Sequence, residues 1–500
     1  MTIQAQTAVL DGYGVKPVTI EGDHNRGLPR VEIIGLASKI IEESRSRIRS
    51  AIINSGFNFP QEHIIINLAP AELRKTGPHL DLAITAVLLA ISRQLLSEDL
   101  ANTMFLGELG LNGEIKPIRG IISLLDYANK ARFKTVYIPA ENAREAQLLD
   151  LKPNIIPVKN LQELWQNLKN ILHISPLKQN VKITETEAKT DIFDRIIGQN
   201  SVKRALIVAL AGRHNLLMSG PPGSGKTALA KCALSLLPQP TIQERIEITK
   251  LNSLTRPSDT LATSRPFRAP HNTATKTAIL GGGPQLLPGE ISLATHGILF
   301  LDELPEFRRD ILEALRQPLE DKNITLANSS QSTTYPCDFI LLATANPCPC
   351  GYYGSNIKDC TCSTLQLQKY RNKISGPLLD RIDMQITVSQ QPTPVLVNST
   401  TSSTTEHETA KAQINTALSA QLKRYGKNKY NGNLNSFETS KLLRLDETRD
   451  FLAKCSNTLK LSARAFFKLI RVARTIADLN NEPEILPSHC AEAIQFKQAF

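Results

Sequence analysis

Gly220-Pro221-Pro222-Gly223-Ser224-Gly225-Lys226-Thr227 is the stretch that decides how this 500-residue chain is read. It fits G-x-x-x-x-G-K-[ST] in full, the pattern of a loop that wraps phosphate. Its glycines let successive backbone N–H groups curl around phosphate oxygens where a Cβ would collide. Lys226 is expected to reach the β- and γ-phosphates of ATP, and Thr227 to offer its hydroxyl to Mg²⁺. Upstream, residues 215–218 read as a short buried strand entering the loop. Downstream, residues 228–234 read as a helix whose N-terminus, at Ala228, points at the anion.

Two further strands complete the pattern. Gly297-Ile298-Leu299-Phe300-Leu301-Asp302-Glu303 is an apolar run ending in adjacent carboxylates. It reads as a buried parallel strand that delivers acids at its C-terminal edge. Asp302 would bind Mg²⁺, and Glu303 would orient and activate the attacking water. Phe339-Ile340-Leu341-Leu342-Ala343-Thr344-Ala345-Asn346 follows, and its terminal amide suits holding that water near the γ-phosphate. The expected fold class is therefore α/β, a parallel sheet flanked by helices.

Composition bounds the rest. The chain is 41% hydrophobic and 21% charged, ordinary for a globular protein of two to four domains. A net charge of +11 suits a polyanion partner such as nucleic acid, though ribosomal contact or solubility alone would also account for it. Residues 82–91 form the nearest approach to a membrane span and are too short, so no membrane partner is expected. No basic flank precedes an apolar run at the N-terminus, so the expected location is cytoplasmic. The eight cysteines are then expected as thiols or metal ligands rather than disulfides.

Along the chain, residues 1–172 alternate strand-like runs (15–21, 30–34, 64–67) with helical ones (38–55, 80–96, 121–132), an α+β domain. Residues 173–189 read as a polar linker and 190–389 as the ATP-binding core. Residues 390–408, rich in Ser, Thr and Pro in their middle, read as a flexible linker, and 409–500 as a helical domain.

Several ordered motifs carry a resemblance. They are Arg265-Pro266-Phe267-Arg268-Ala269-Pro270-His271, Gly281-Gly282-Gly283, Pro288-Gly289-Glu290, Leu315-Arg316-Gln317-Pro318-Leu319-Glu320, Asn346-Pro347-Cys348-Pro349-Cys350-Gly351 and Ser375-Gly376-Pro377-Leu378-Leu379-Asp380-Arg381. Together with Asn67-Leu68-Ala69-Pro70 and Leu461-Ser462-Ala463-Arg464, they resemble the magnesium-chelatase-like AAA+ ATPases, and among them the ComM/YifB family. The resemblance covers essentially the whole chain. It implies an AAA+ core with a C-terminal helical lid and a homo-oligomeric ring, usually a hexamer. Arg381 would be an arginine finger completing a neighbour's ATP site, and Arg464 a lid arginine sensing nucleotide, with Arg471 and Arg474 as alternatives. Residues 324–336 would form a hairpin that grips DNA in the ring's pore. Its tip here, Asn328-Ser329-Ser330-Gln331-Ser332, lacks the family's basic residue. Arg265, Arg268 and His271 are alternative DNA contacts, or ordinary structural pairs.

The N-terminal domain resembles the proteolytic domain of Lon in outline. His79 stands where that family has its serine and Ile122 where it has its lysine, so no protease activity is expected. His79 itself reads as a surface or loop residue, and the domain as an assembly or DNA-binding module. Cys348, Cys350, Cys360 and Cys362 place four thiols where a structural Zn²⁺ would brace the loop after Asn346.

The function implied is an ATP-hydrolysing ring motor that moves or unwinds recombination intermediates during DNA uptake, with recombination proteins as partners. The alternatives are a magnesium-chelatase-type motor subunit and a protein-remodelling ATPase.

Overall fold

The computed structural model describes residues 2–25, 27–35, 39–72, 75, 77–178, 193–255, 261–329, 332–354, 358–390, 405–426 and 429–497. Residues 179–189 of the expected first linker and 391–404 of the second lie outside them. Packing divides the chain into two units, one of Met1–Glu185 with Ile242–Thr263, the other of Thr186–Thr241 with Ser264–Phe500.

The first unit is built on a seven-stranded mixed sheet. Its strands run in the order Arg30–Ile34, His63–Ala69, Gly14–Asn25, Ile3–Asp11, Thr103–Phe105, Thr135–Pro139 and Asn154–Val158. The helix Asp81–Ile91 is buried along its whole length. An all-round apolar helix belongs inside a core, and this one lies against the sheet. A Cβ on Gly22 would come within 2.3 Å of Val87 Cγ1, so strand and helix meet only because residue 22 has no side chain. The strand Ile3–Asp11, central to the sheet, was not among the sequence expectations.

The helix Ile242–Thr255 departs from the expected boundaries. It lies between the ATP motifs in sequence, yet it packs in the first unit. Ile246 sits against the cluster of Leu124, Leu125 and Ala128, and Lys250 donates to Asp126 at 2.7 Å. Burial pushes the Asp126 carboxyl up, but Lys130 and Lys250 outweigh it and hold it below the ordinary range. Residues 190–389 are therefore not one packing unit.

In the second unit a five-stranded parallel sheet runs in the order Phe267–Arg268, Ile298–Leu301, Ile340–Ala345, Leu216–Ser219, Met384–Thr387. The strand entering the phosphate loop thus has the Asn346 strand as neighbour, and the carboxylate strand lies one further out. The predicted hairpin forms from Asn323–Ala327 and Ser332–Pro336, paired antiparallel. The C-terminal part is helical as read, and Thr405–Tyr425 already begins within the expected second linker. Its helix Ala463–Leu479 shares one core with the sheet, through Ile470, Val472, Ala473 and Ile476. No described helix is long and apolar enough to cross a membrane.

Each unit buries a neutral histidine. His79, expected near the surface, is 8% exposed, and its Nε2 pairs with the Ala8 carbonyl at 3.1 Å. Burial pulls its pKa down to about 4, against the small opposing effect of that carbonyl. His214 is fully buried and also pulled to about 4, Asp383 opposing. Unfolded histidine titrates near 6.5, so between roughly pH 6.5 and 4 the unfolded chain binds more protons than the folded one. Each unit should lose about 3 kcal/mol across that window. Denaturant melts at half-unit pH steps would show this loss beginning well above the carboxylate range. Stability constant down to pH 4.5 would rule it out.

Candidate ATP site

The phosphate loop has the backbone its residues demand. Gly223 and Gly225 sit at φ +75° and +88°, where a side chain would strain the turn. A Cβ at Gly220 would strike the Val388 carbonyl at 2.2 Å. The helix Lys226–Leu236 starts at Gly225 with no side chain capping it, leaving its first N–H groups directed at the loop. The Ser224 hydroxyl is buried without a hydrogen-bond partner.

Four of the expected side chains meet here. Lys226 Nζ donates to the carbonyls of Gly220 and Pro221 at 2.7 and 2.9 Å and to Asn346 Oδ1 at 3.4 Å. Burial lowers its pKa, with Asp302 and Glu303 opposing. Thr227 Oγ1 donates to Asp302 Oδ2 at 3.2 Å. A hydroxyl beside a carboxylate is the hard-oxygen pair Mg²⁺ prefers, so the donor set fits that ion. The ammonium, the open helix end and the orphaned Ser224 hydroxyl fit a polyphosphate.

Glu303 follows Asp302 in an exposed left-handed conformation, φ 54°. Thr344 aligns the two acids: its hydroxyl donates to Asp302 and accepts from the Glu303 backbone N–H at 2.9 Å. Thr344 was quoted in the strand but assigned no role. Gln199 was missed altogether. Its Nε2 reaches the carbonyls of Ser224 at 3.4 Å and Ser389, tying the loop to the end of the sheet. The Ile197-Gly198-Gln199 turn before a helix was its only trace in sequence.

Arg381 and Arg464 are placed elsewhere. Both pair with one carboxylate, Glu320. They line a cavity of about 490 Å³ with Asp383, Lys468 and Arg471, and no phosphate-loop residue contributes to it. Burial raises the Glu320 carboxyl, but the two arginines prevail and hold it below its usual range. Arg474, the other lid alternative, is buried against Asp478 and the carbonyls of Glu482 and Pro483. Arg265 is likewise buried, donating to the carbonyls of Pro238 and His296.

Lys226→Ala should weaken ATP binding by roughly 30-fold or more, since a buried charged contact is removed. Titration with a fluorescent ATP analogue measures this; wild-type affinity would refute the loop's role.

Sheet order, loop and carboxylate pair together define a magnesium-chelatase-like AAA+ ATPase. Three family models agree: "Magnesium chelatase, subunit ChlI" over residues 192–396, "Subunit ChlI of Mg-chelatase" over 20–142, and "Magnesium chelatase, subunit ChlI C-terminal" over 404–497. The competence protein ComM of Haemophilus influenzae is 39% identical, covering 96% of this chain and 94% of its own. YifB of Salmonella typhimurium is also 39% identical, over 97% and 95%. The chain belongs to the ComM/YifB family. The Lon protease of Brucella suis is 28% identical over 188 residues, 36% of this chain and 22% of that protein.

Proposed function

We propose that this chain forms a homo-oligomeric ring, a hexamer, that hydrolyses ATP to move or unwind branched DNA intermediates during uptake and integration. The observation that carries the reading is the separation of catalytic groups. Lys226, Thr227, Asp302 and Asn346 assemble around the phosphate loop, while Arg381 sits in a cavity without a phosphate-loop residue. A finger presented away from its own loop is what a head-to-tail ring requires. Mg²⁺ held by Thr227 and Asp302 would neutralise charge on the β- and γ-phosphate oxygens. Lys226 binds the phosphates, Asn346 orients water, and Glu303 accepts its proton.

The DNA part draws on the competence name of the Haemophilus relative and on the net charge of +11. The hairpin offers the hydroxyls of Thr325, Ser332 and Thr334 and the methyl of Ala327 on its exposed face, and no cation. Its own tip residues 330 and 331 lie outside the described residues. Contacts of this kind bind phosphate with a shallow salt dependence. Proteolysis is not expected, because the His79 ring is engaged with a carbonyl and Ile122 is buried in the core.

The test is steady-state ATPase activity without DNA and with single strand, duplex and four-way junction, Glu303→Gln serving as blank. Stimulation greatest on the junction supports the proposal. A rate indifferent to DNA refutes it. The family models' chelatase description favours a second reading, a motor subunit for metal insertion; stimulation by a porphyrin-binding partner alone would support that instead.

A further inference from the structure

Directly after Asn346 the chain turns back on itself and gathers four sulfurs. The Sγ atoms of Cys348, Cys350, Cys360 and Cys362 all lie within 4.8 Å of one another. Cys348 is 3.3 Å from Cys350 and 3.7 Å from Cys360, and Cys350 is 3.6 Å from Cys360. None of these is a disulfide bond, which would be near 2.05 Å. A tetrahedral tetrathiolate zinc, with Zn–S about 2.3 Å, sets its sulfurs roughly 3.8 Å apart. The cluster is already close to that size.

The backbone also meets one of the sulfurs. The Tyr353 N–H donates to Cys348 Sγ at 3.3 Å. Such a bond stabilises a thiolate and orients it toward a metal.

The cluster touches the ATP site at three points. Cys348 is two residues from Asn346. Gly351, at φ +85°, lies so close to the phosphate loop that a Cβ there would be 2.7 Å from Pro222 Cδ. Helix Thr364–Arg371 starts just past Cys362, capped by Ser363, and its buried Tyr370 lies beside the Asn346 backbone.

We propose that Cys348, Cys350, Cys360 and Cys362 bind one Zn²⁺, and that this zinc knuckle is a positioning device for Asn346 and Pro222 at the ATP site. The proposal is independent of the DNA reading, because it concerns the ATP site alone.

The experiment begins with the full chain, purified without a metal-affinity tag, and zinc determined by plasma mass spectrometry. About one zinc per chain is expected. It should fall to near zero in Cys350→Ser/Cys362→Ser and stay at one in Cys455→Ser, whose thiol lies on the helix Asp446–Leu459 outside the cluster. If the double variant misfolds, the wild-type chain decides. Stripped of metal and titrated with Co²⁺, it should show the thiolate charge-transfer and strong d–d bands of tetrahedral cobalt, abolished by added zinc. Zinc well below one per chain together with a weak octahedral cobalt spectrum overturns the site. For the positioning role, zinc removal should raise KM for ATP and lower kcat, both recovering on readdition. Unchanged kinetics in fully stripped protein overturns that role.

Discussion

Glu303→Gln is expected to bind ATP as the wild type does and to hydrolyse it about 10²- to 10⁴-fold more slowly, the range typical of a lost general base. The amide keeps the shape and the hydrogen-bonding reach but cannot take a proton from water. The site gives reason to expect a clean effect. The Glu303 backbone is pinned by Thr344, whose hydroxyl also holds Asp302, so the substitution leaves the neighbouring acid in place. The left-handed φ of 54° is a further sign, since a non-glycine residue held there costs on the order of 1–3 kcal/mol and such strain concentrates at working sites. Single-turnover hydrolysis beside equilibrium ATP binding measures the two halves separately. Full-speed hydrolysis in this variant would place the base on another residue. Thr344→Val should slow hydrolysis too, by less, because it loosens both acids without removing either.

Arg381→Ala is expected to fall further, by about 10³- to 10⁵-fold in kcat, as arginine fingers do. Charge accumulates on the γ-phosphoryl oxygens in the transition state, and this cation would meet it from the adjoining subunit. A mixture with Lys226→Ala distinguishes that arrangement from a structural role. Arg381→Ala subunits keep their own phosphate loops; Lys226→Ala subunits keep their fingers. Mixed rings would contain intact composite sites and recover part of the activity, with a maximum near equal proportions. Activity in the mixture no greater than the sum of its parts, or a wild-type rate in Arg381→Ala alone, would defeat the assignment. Glu320→Gln should act more mildly on the same parameter, since it frees two arginines from the carboxylate that now pairs them.

Much of the second unit was legible because its strands are short, apolar and end in chemically committed residues. Leu216–Ser219, Ile298–Leu301 and Ile340–Ala345 fall within two residues of their expected limits. Burial on both faces writes a continuous apolar run, and the turn that follows each is marked by glycine, acid or amide. Periodicity does not reveal what side chains do across long separations. Glu320 lies some sixty residues from Arg381 and over a hundred from Arg464, so nothing local signals the pairing. Gln199 acts through a carbonyl contact that a polar residue before a helix does not advertise. His79 was expected at the surface or in a loop because nothing near it in sequence announces its partner; the strand Ile3–Asp11 supplies the carbonyl that holds its ring inside.

The packing of Ile242–Thr263 with the first unit has a consequence for the order in which the protein is made. Domains commonly finish folding as they emerge during synthesis, the N-terminal one first. Here the first unit is complete only when residue 263 appears, roughly 80 residues after Glu185. At about 5–20 residues per second that is a delay of about 4–16 s. During it the apolar faces that later receive Ile246 and Leu254 stay uncovered, and the phosphate loop has already been translated. The motor's first segment is thus exposed to the ribosome and to chaperones before its N-terminal neighbour can close, and a nascent chain arrested between these points would be the protein's most aggregation-prone form.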